Sequence, residues 1–275
     1  MVVRTWNLFN GNTSPPGRRS YLREMVELVT ADRPAVVCLQ EVPAWALEQV
    51  GGWAGMRGIG DRARRPLLPL AGRRVTALHS GLFRSGLAGQ GNAVLVPADA
   101  TVREHKTITL NTNPFCEEEA RKLGLDAKLT RWWQRERRIC QVVKIELPNR
   151  RRLLVANVHA TSYGRDPRLA DSELRRATNF VDRQSEVEEV VIFAGDFNVT
   201  REQSRTIRAL LEAPPESRWS EAGPQIDHVL VRGAETSAVR VWPDDERRYG
   251  GKLLSDHAPV EVELKVDVAT PTQPS

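Results

Sequence analysis

Acids, amides and histidines in this chain fall at the ends of apolar runs. Glu41 directly follows Val36-Val37-Cys38-Leu39-Gln40. Asp196 and Asn198 follow the run Val190 to Gly195, and Asp227 leads into His228-Val229-Leu230-Val231. Asp256 and His257 precede a run that starts at Pro259, and Asn7 closes the first run of the chain. Polar residues at strand ends are held rigidly at the rim of a sheet, which suits a preorganised site. Carboxylate and amide oxygens are hard ligands and suit Mg²⁺ or Mn²⁺ better than zinc. A histidine beside a carboxylate suits proton transfer, because the carboxylate fixes the imidazole tautomer and raises its basicity. Hard oxygens with a His–Asp pair fit phosphate ester hydrolysis, in which a metal neutralises phosphate charge and a carboxylate or histidine activates water.

The elements that must carry these residues alternate. Val2 to Asn7 reads as a strand, about Arg18 to Ala31 as a helix with Leu22, Met25, Val26 and Val29 on one face, and Ala35 to Gln40 as a buried strand. Pro43 is expected to open a second helix, to about Val50. Residues 51–91 are Gly- and Arg-rich and predict weak strands between loops; a strand follows over Asn92–Pro97. Residues 112–138 read as a charged helical insertion. Ile139–Leu147 and Arg152–His159 flank Pro148-Asn149-Arg150 as a hairpin would. Arg168–Gln184 and Glu202–Leu211 read as helices, and Glu189–Ala194, Ile226–Val231, Ala238–Trp242 and Pro259–Val266 as strands. Strands and helices alternating with hairpins imply mixed sheets covered by helices, in one sheet or two. The expected organisation is one domain over 1–268 with a disordered tail over 269–275.

The 275 residues, 40% hydrophobic and 27% charged, are ordinary for a folded protein and exclude wholesale disorder. No run approaches the roughly 18 apolar residues of a membrane span. Cys38, Cys116 and Cys140 are far apart and form no C-x-x-C, which argues against zinc or a disulfide framework. Cys38, inside an apolar run, reads as a core residue. No leader pattern is visible at the N-terminus, so a cytoplasmic location is the expectation. The net charge of +5, mostly from arginine, fits a polyanionic partner without requiring one.

Together the motifs identify a resemblance to the endonuclease/exonuclease/phosphatase superfamily, with its deoxyribonuclease I-like fold. They are Trp6-Asn7, Leu39-Gln40-Glu41-Val42, Gly91 to Val96, Asn157-Val158-His159-Ala160-Thr161, Gly195-Asp196-Phe197-Asn198-Val199, Ile226 to Val231, and Ser255-Asp256-His257-Ala258-Pro259-Val260. They run in the family's order over nearly the whole chain. The resemblance implies a four-layer α/β/β/α sandwich of two mixed sheets flanked by helices. It implies Glu41 as the principal Mg²⁺ ligand, with Asn7 and Asp256 contributing and Mn²⁺ a substitute. It implies Asp196 as the residue that orients or deprotonates the attacking water, Asn198 as a phosphate- and metal-side donor, His257 on the scissile phosphate, and Asp227 orienting His257. His159 stands where nuclease members carry a catalytic histidine. His228 reads as structural, and His79 and His105 match no motif.

Two departures matter. Some members carry an acid soon after the first Asn; here the chain reads Leu8-Phe9-Asn10-Gly11-Asn12, leaving Asn10 or Asn12 to contribute. Arg137 or Arg138 resembles the arginine that nuclease members face toward substrate. The family cleaves nucleic acids, sphingomyelin and inositol phosphates, and its core motifs do not choose among them. Two stretches bear on the choice: Arg62, Arg64, Arg65, Arg73 and Arg74, and Lys128, Arg131, Arg135, Arg137 and Arg138 around Trp132-Trp133. Cations beside aromatics suit a nucleic-acid strand, with Arg on phosphate and Trp on bases; a helix whose tryptophans pack inward is the alternative. The leading expectation is a metal-dependent phosphodiesterase of nucleic acid, endo- or exonuclease, by in-line attack of activated water. The alternative enzyme is a phosphatase or phosphodiesterase of a small phosphorylated metabolite or phospholipid; a non-catalytic polyanion binder is the third class. A monomer is expected, with no protein partner inferable.

Overall fold

Two β–α–β units frame the protein. The computed structural model describes residues 1–63, 89–223 and 225–265. In the first unit β1 (Val2–Asn7) and β3 (Val36–Pro43) are parallel neighbours joined through helix α1 (Leu22–Thr30). In the second, β8 (Arg152–His159) and β9 (Val190–Asp196) are parallel and joined through α5 (Arg168–Gln184). Parallel neighbours need such a crossover, and their C-terminal ends must then lie at the same edge of the sheet. All other strand pairings are antiparallel.

The first sheet is completed by β4 (Arg57–Arg62), β5 (Gln90–Val96), β12 (Glu235–Val241) and β15 (Val260–Lys265), in the order β12-β15-β1-β3-β5-β4. The second adds β6 (Thr101–Thr109), β7 (Ile139–Glu146), β10 (Ser220–Ala222) and β11 (Asp227–Arg232), in the order β10-β11-β9-β8-β7-β6. Strand periodicity explains the layers. Val36 and Cys38 of β3 and Val190, Ile192 and Ala194 of β9 enter one core between the sheets. Val37 and Leu39 face outward beneath α1, and Val191 and Phe193 face outward beneath α5. Side chains two apart share a face, so strands buried on both faces read as continuous apolar runs. The expected α/β/β/α sandwich is observed, and Cys38 is a core residue.

A third, small sheet at one rim joins β2 (Thr13–Ser14), β13 (Arg248–Tyr249) and β14 (Lys252–Leu254). The charged insertion forms α3 (Asn113–Leu123) and α4 (Ala127–Trp133), and α6 (Arg205–Leu211) follows β9. None of the described helices is long and apolar enough to cross a membrane.

The helix expected from Pro43 is corrected. Val42 and Pro43 pair with Gly91 and Gln90, so β3 continues through the proline, turns follow, and the helix α2 occupies Val50–Ala54. Sheet pairing outcompetes the local preference of proline for a helix start. β6, missed in the sequence, is an edge strand with Arg103, Glu104, His105 and Lys106 exposed or half-exposed, which erases its apolar alternation. Of the weak strands expected within 51–91, β4 forms, while 64–88, with Arg64, Arg65, Arg73, Arg74 and His79, lies outside the described residues, as does the tail 269–275.

Candidate active site

The two parallel pairs end at the same place. Asn7 is in register with Gln40, next to Glu41, in the first sheet; His159 is in register with Asp196 in the second, and Asp227 pairs with Asp196 from β11. Beneath these ends one buried amide locks the sheets together. Asn157 Nδ2 donates to the carbonyls of Leu39 and Ala93, each at 3.0 Å, and Asn157 Oδ1 accepts from Gln40 Nε2 at 2.8 Å. The Asn and Gln inside the N-V-H and L-Q-E motifs, to which sequence reasoning assigns no role, thus hold the halves of the site in register.

At the centre, Asp196 is buried. Its Oδ2 accepts from Asn7 Nδ2 at 2.9 Å and its Oδ1 from the backbone N–H of Asn198 at 3.0 Å. His159 Nε2 lies 3.6 Å from Asp196 Oδ2 and 3.9 Å from Glu41 Oε1. His257 Nε2 lies 3.9 Å from Asp196 Oδ2, while its Nδ1 meets Asp227 Oδ2 at 2.8 Å. Asn10 Nδ2 donates to Glu41 Oε2 at 2.7 Å. Asn7, Glu41, His159, Asp196, Asn198, Asp227 and His257 are therefore brought together as the sequence suggested, with Asn10 added. Asn198 Nδ2 is engaged with the carbonyl of Ala160 at 3.0 Å.

The backbone around this cluster is held in uncommon conformations. Phe9, Asn10, Glu41, Asn198 and Ser255 all have positive φ, between 47° and 60°. Glu41 sits where the β3–β5 register shifts between Leu39 and Val42. A non-glycine residue there costs on the order of 1–3 kcal/mol, and such strain collects at functional sites. Gly195, at φ 142°, precedes Asp196 because a Cβ there would stand 1.9 Å from the carbonyl oxygen of Val158.

Burial and charge set the protonation states. Desolvation, with the charges of Asp196 and Glu136 adding to it and Arg138 opposing, pushes Glu41 up to about 7. Desolvation, then the charge of Asp227, raises Asp196 to about 6. Burial lowers His257, but the hydrogen bond and charge of Asp227, with Asp196 and Asp256, outweigh it and raise the imidazole to about 10. Burial and the cations Arg138 and His257 hold His159 well below its usual value. One histidine is therefore a cation at neutral pH and the other is neutral.

The oxygens fit a divalent cation at the Glu41 end. Glu41 is a half-buried carboxylate whose charge is disfavoured by desolvation and by Asp196 and Glu136, and the adjacent Asn10 Oδ1 is buried without a hydrogen-bond partner. Both are the hard donors that Mg²⁺ or Mn²⁺ prefers. Asp196, Asp227 and His257 also offer ligand atoms within 4.8 Å of one another. A protonated imidazole has no free lone pair, which disfavours His257 as a ligand and leaves the Glu41 end the better match.

The loop that presents His257 is tied down by residues the sequence did not flag. Ser255 Oγ donates to the carbonyl of Asn7 at 2.7 Å, and Trp6 Nε1 donates to that of His257 at 2.9 Å. The buried Arg247 donates through Nη1 to the carbonyls of Leu254, Ser255 and His257 at 3.0–3.2 Å, and through Nη2 to Asp244. No spacing rule points to Arg247; only the folded loop reveals it. Asp256 is exposed and, with Asp227, His257, Ile226, Val241 and Arg247, borders a cleft of about 350 Å³.

The four candidate arginines separate. Arg138 is buried, with Nη1 2.8 Å from His159 Nε2 and Nη2 on Glu136 at 2.8 Å. Arg137 donates to Asn111 O and Asn113 Oδ1, tying down the insertion. Arg131 and Arg135 are exposed. The tryptophan pair also divides. Trp133 is buried and donates to Glu173 Oε1 at 2.6 Å, whereas Trp132 is 38% exposed and meets Tyr163 at a 48° tilt, 4.6 Å between ring centroids. His228 is buried, bonded to the carbonyl of Val199 and stacked on Phe197, and His105 pairs with Asp61 of β4.

The model of the Endonuclease/Exonuclease/phosphatase family matches residues 5–257. Among solved structures, an endonuclease/exonuclease/phosphatase from Bacteroides vulgatus aligns at 15% identity over 97% of this chain and 98% of its own, with a TM-score of 0.68. A mannosyl-6-phosphatase from Bacteroides thetaiotaomicron aligns at 16% identity over 97% and 100%, with a TM-score of 0.66. A humanized D. rerio TDP2 carrying 14 mutations aligns at 13% over 97% and 99%, with a TM-score of 0.65. At these identities the structures share the fold. No curated protein matches the sequence.

Proposed function

The chain belongs to the endonuclease/exonuclease/phosphatase family, a family of phosphoester hydrolases, and on that premise we propose that it is a divalent-metal-dependent phosphodiesterase acting on nucleic acid. The observation that carries the chemistry is Asp196, held on both oxygens by Asn7 and Asn198 and flanked by a neutral and a charged histidine. The catalytic unit is taken as residues 1–268.

Asp196, ionised above a pKa of about 6, accepts the proton of the attacking water, and Asn7 with the Asn198 N–H, one on each oxygen, fixes the orientation of the carboxylate. His257, held protonated by Asp227, stabilises negative charge developing on the phosphoryl oxygens. His159, kept neutral by burial and Arg138, hydrogen-bonds the phosphate without competing for the water's proton. Glu41, with Asn7, Asn10 and, at the rim, Asp256, would hold Mg²⁺ or Mn²⁺, which supplies neutralisation of phosphate charge when bound. Arg138 braces His159 from beneath and offers its charge to substrate across the imidazole.

Support for nucleic acid comes from the exposed Trp132, tilted against the half-buried Tyr163, beside Arg131 and Arg135: aromatic faces take bases and arginines take phosphates. The 350 Å³ cleft beside His257 favours a second reading, a small phosphorylated metabolite as substrate. Supercoiled plasmid and labelled RNA, incubated with Mg²⁺, Mn²⁺ or EDTA beside an Asp196→Ala control, separate the two. Metal-dependent cleavage absent from the control is expected. Intact nucleic acid alongside metal-dependent release of phosphate from sugar phosphates would replace the first reading with the second.

A further inference from the structure

The Trp132–Tyr163 pair sits on the helical layer outside the second sheet, where Tyr163 packs with Trp133 and Leu169. A second exposed aromatic and basic surface lies outside the first sheet, where Tyr21 and Leu254 pack with α1. Tyr249, 48% exposed in β13, meets the half-buried Tyr21 edge-on at 6.1 Å, and the Arg19 guanidinium lies 4.7 Å over the Tyr21 ring. Arg18, Arg248 and Lys252 are exposed around them. The neighbouring acids are mostly taken up: Glu24 by Arg19, Asp244 by Arg247 and Glu246 by Arg240, leaving Asp245 against Arg18, Arg248 and Lys252. Arg248 spends one nitrogen on the carbonyl of Gly251, which leaves its charge uncompensated.

This surface is joined rigidly to the catalytic cluster. β14 runs from Lys252 to Leu254 straight into Ser255-Asp256-His257, a reach of at most about 17 Å. Its partner β2 follows Asn10, which bonds Glu41. Arg247, next to Arg248, donates to the carbonyls of Leu254, Ser255 and His257. A base stacked on Tyr249 is therefore held at a fixed offset from the reacting phosphate, the condition under which binding energy positions a substrate.

We infer that Tyr249, Tyr21, Arg19, Arg248 and Lys252 form a ledge for a single nucleic-acid strand, on the opposite side of the site from Trp132 and Tyr163. The inference rests on the reading of nucleic acid as substrate and adds a path to it. The strand crosses the seam between the two sheets, with a base on Tyr249 at one rim and another on Trp132 at the opposite rim. Phosphates between them meet Arg248 and Lys252 before reaching His257.

The test uses the full chain and fluorescein-labelled single-stranded DNA and RNA oligonucleotides. Affinity is read by anisotropy on an Asp196→Ala background and turnover on the active enzyme. Tyr249→Ala is expected to weaken oligonucleotide binding about tenfold, as loss of one base–aromatic stack does, with Tyr249→Phe restoring it. Arg248→Glu with Lys252→Glu is expected to lower the slope of log K against log[salt] by about 1.4, the amount for two phosphate contacts on a single strand. The ratio of kcat/KM for oligonucleotide to that for bis(4-nitrophenyl) phosphate falls with both variants. Normal affinity and salt slope in the variants, with wild-type enzyme binding and cleaving oligonucleotides, overturns the ledge and leaves the nuclease reading intact. Wild-type enzyme that neither binds nor cleaves them overturns both.

Discussion

The two sheets are built alike and end in different chemistry. Each contains one parallel pair joined by a helix, β1–α1–β3 and β8–α5–β9, and each brings the ends of that pair to the seam. The first sheet ends in a carboxylate and amides and no histidine: Asn7 and Glu41, with Asn10 beside them. The second ends in His159, Asp196 and Asp227, and to these the loop before β15 adds His257. The difference teaches that topology decides where functional groups meet, while the residue at each strand end decides whether the half-site attracts a cation or manages protons and charge. Burial sharpens the contrast. It pushes Glu41 to about 7, where a metal would reverse the shift, and Asp196 to about 6, where it becomes a base poised just below neutrality.

The largest expected effect falls on the proton-handling half. Asp196→Ala or His257→Ala should lower kcat at least about 10²-fold with the fold intact by circular dichroism. Turnover like that of wild type in saturating metal would remove these residues from the mechanism. Next is the lock between the halves. Asn157→Ala removes the donor to two buried carbonyls and one of three acceptors of Gln40 Nε2, which keeps Thr5 Oγ1 and the Cys38 carbonyl, and should destabilise the protein by about 3 kcal/mol in urea unfolding. A change under about 0.5 kcal/mol would mean the sheets hold register without it.

The cation-binding half has its own signature. Mg²⁺ must displace the Glu41 proton, so the metal-induced rise in Tm should grow from pH 6 to pH 8, through the Glu41 value of about 7. Glu41→Gln should abolish that pH-dependent rise; a rise unchanged in this variant would place the cation elsewhere. The histidine pair gives a subtler effect. His257 is raised to about 10, so its cation stabilises the fold fully below its unfolded value near 6.5 and loses that contribution as pH climbs through 10. Asp227→Asn should therefore lower stability most below about pH 6.5 and least near pH 10, and move the alkaline limb of the kcat profile downward. A limb that stays put would show that another group sets it. The smallest change concerns the rim: Arg131→Glu with Arg135→Glu should lower the kcat/KM ratio of oligonucleotide to small diester by several-fold, with a shallower salt slope. An unchanged ratio would take α4 out of substrate binding.

Some of this architecture was legible residue by residue. The runs before Glu41 and Asp196 are apolar on both faces because those strands lie inside the sandwich, and the polar residue that ends each run is where the sandwich opens. Other parts were illegible for equally physical reasons. β6 is an edge strand whose exposed charges hide its alternation. β2, β13 and β14 are only two or three residues long and carry no period at all. Pro43 reads as a helix start in isolation and is a strand end only because β5 pairs with it.

The amino-acid order by itself determined the family, the layered α/β architecture and the identity of the groups that meet in the site, since motif residues and strand periods are local properties. Only the tertiary structure decided their states and their supports. The charge of His257 depends on Asp227, thirty positions away along the chain. The neutrality of His159 depends on burial and Arg138, and the shift of Glu41 on neighbours from several elements. Arg247 and Asn157 act on backbone carbonyls, groups that every residue carries and no sequence pattern marks, so their roles exist only once the chain has folded around them.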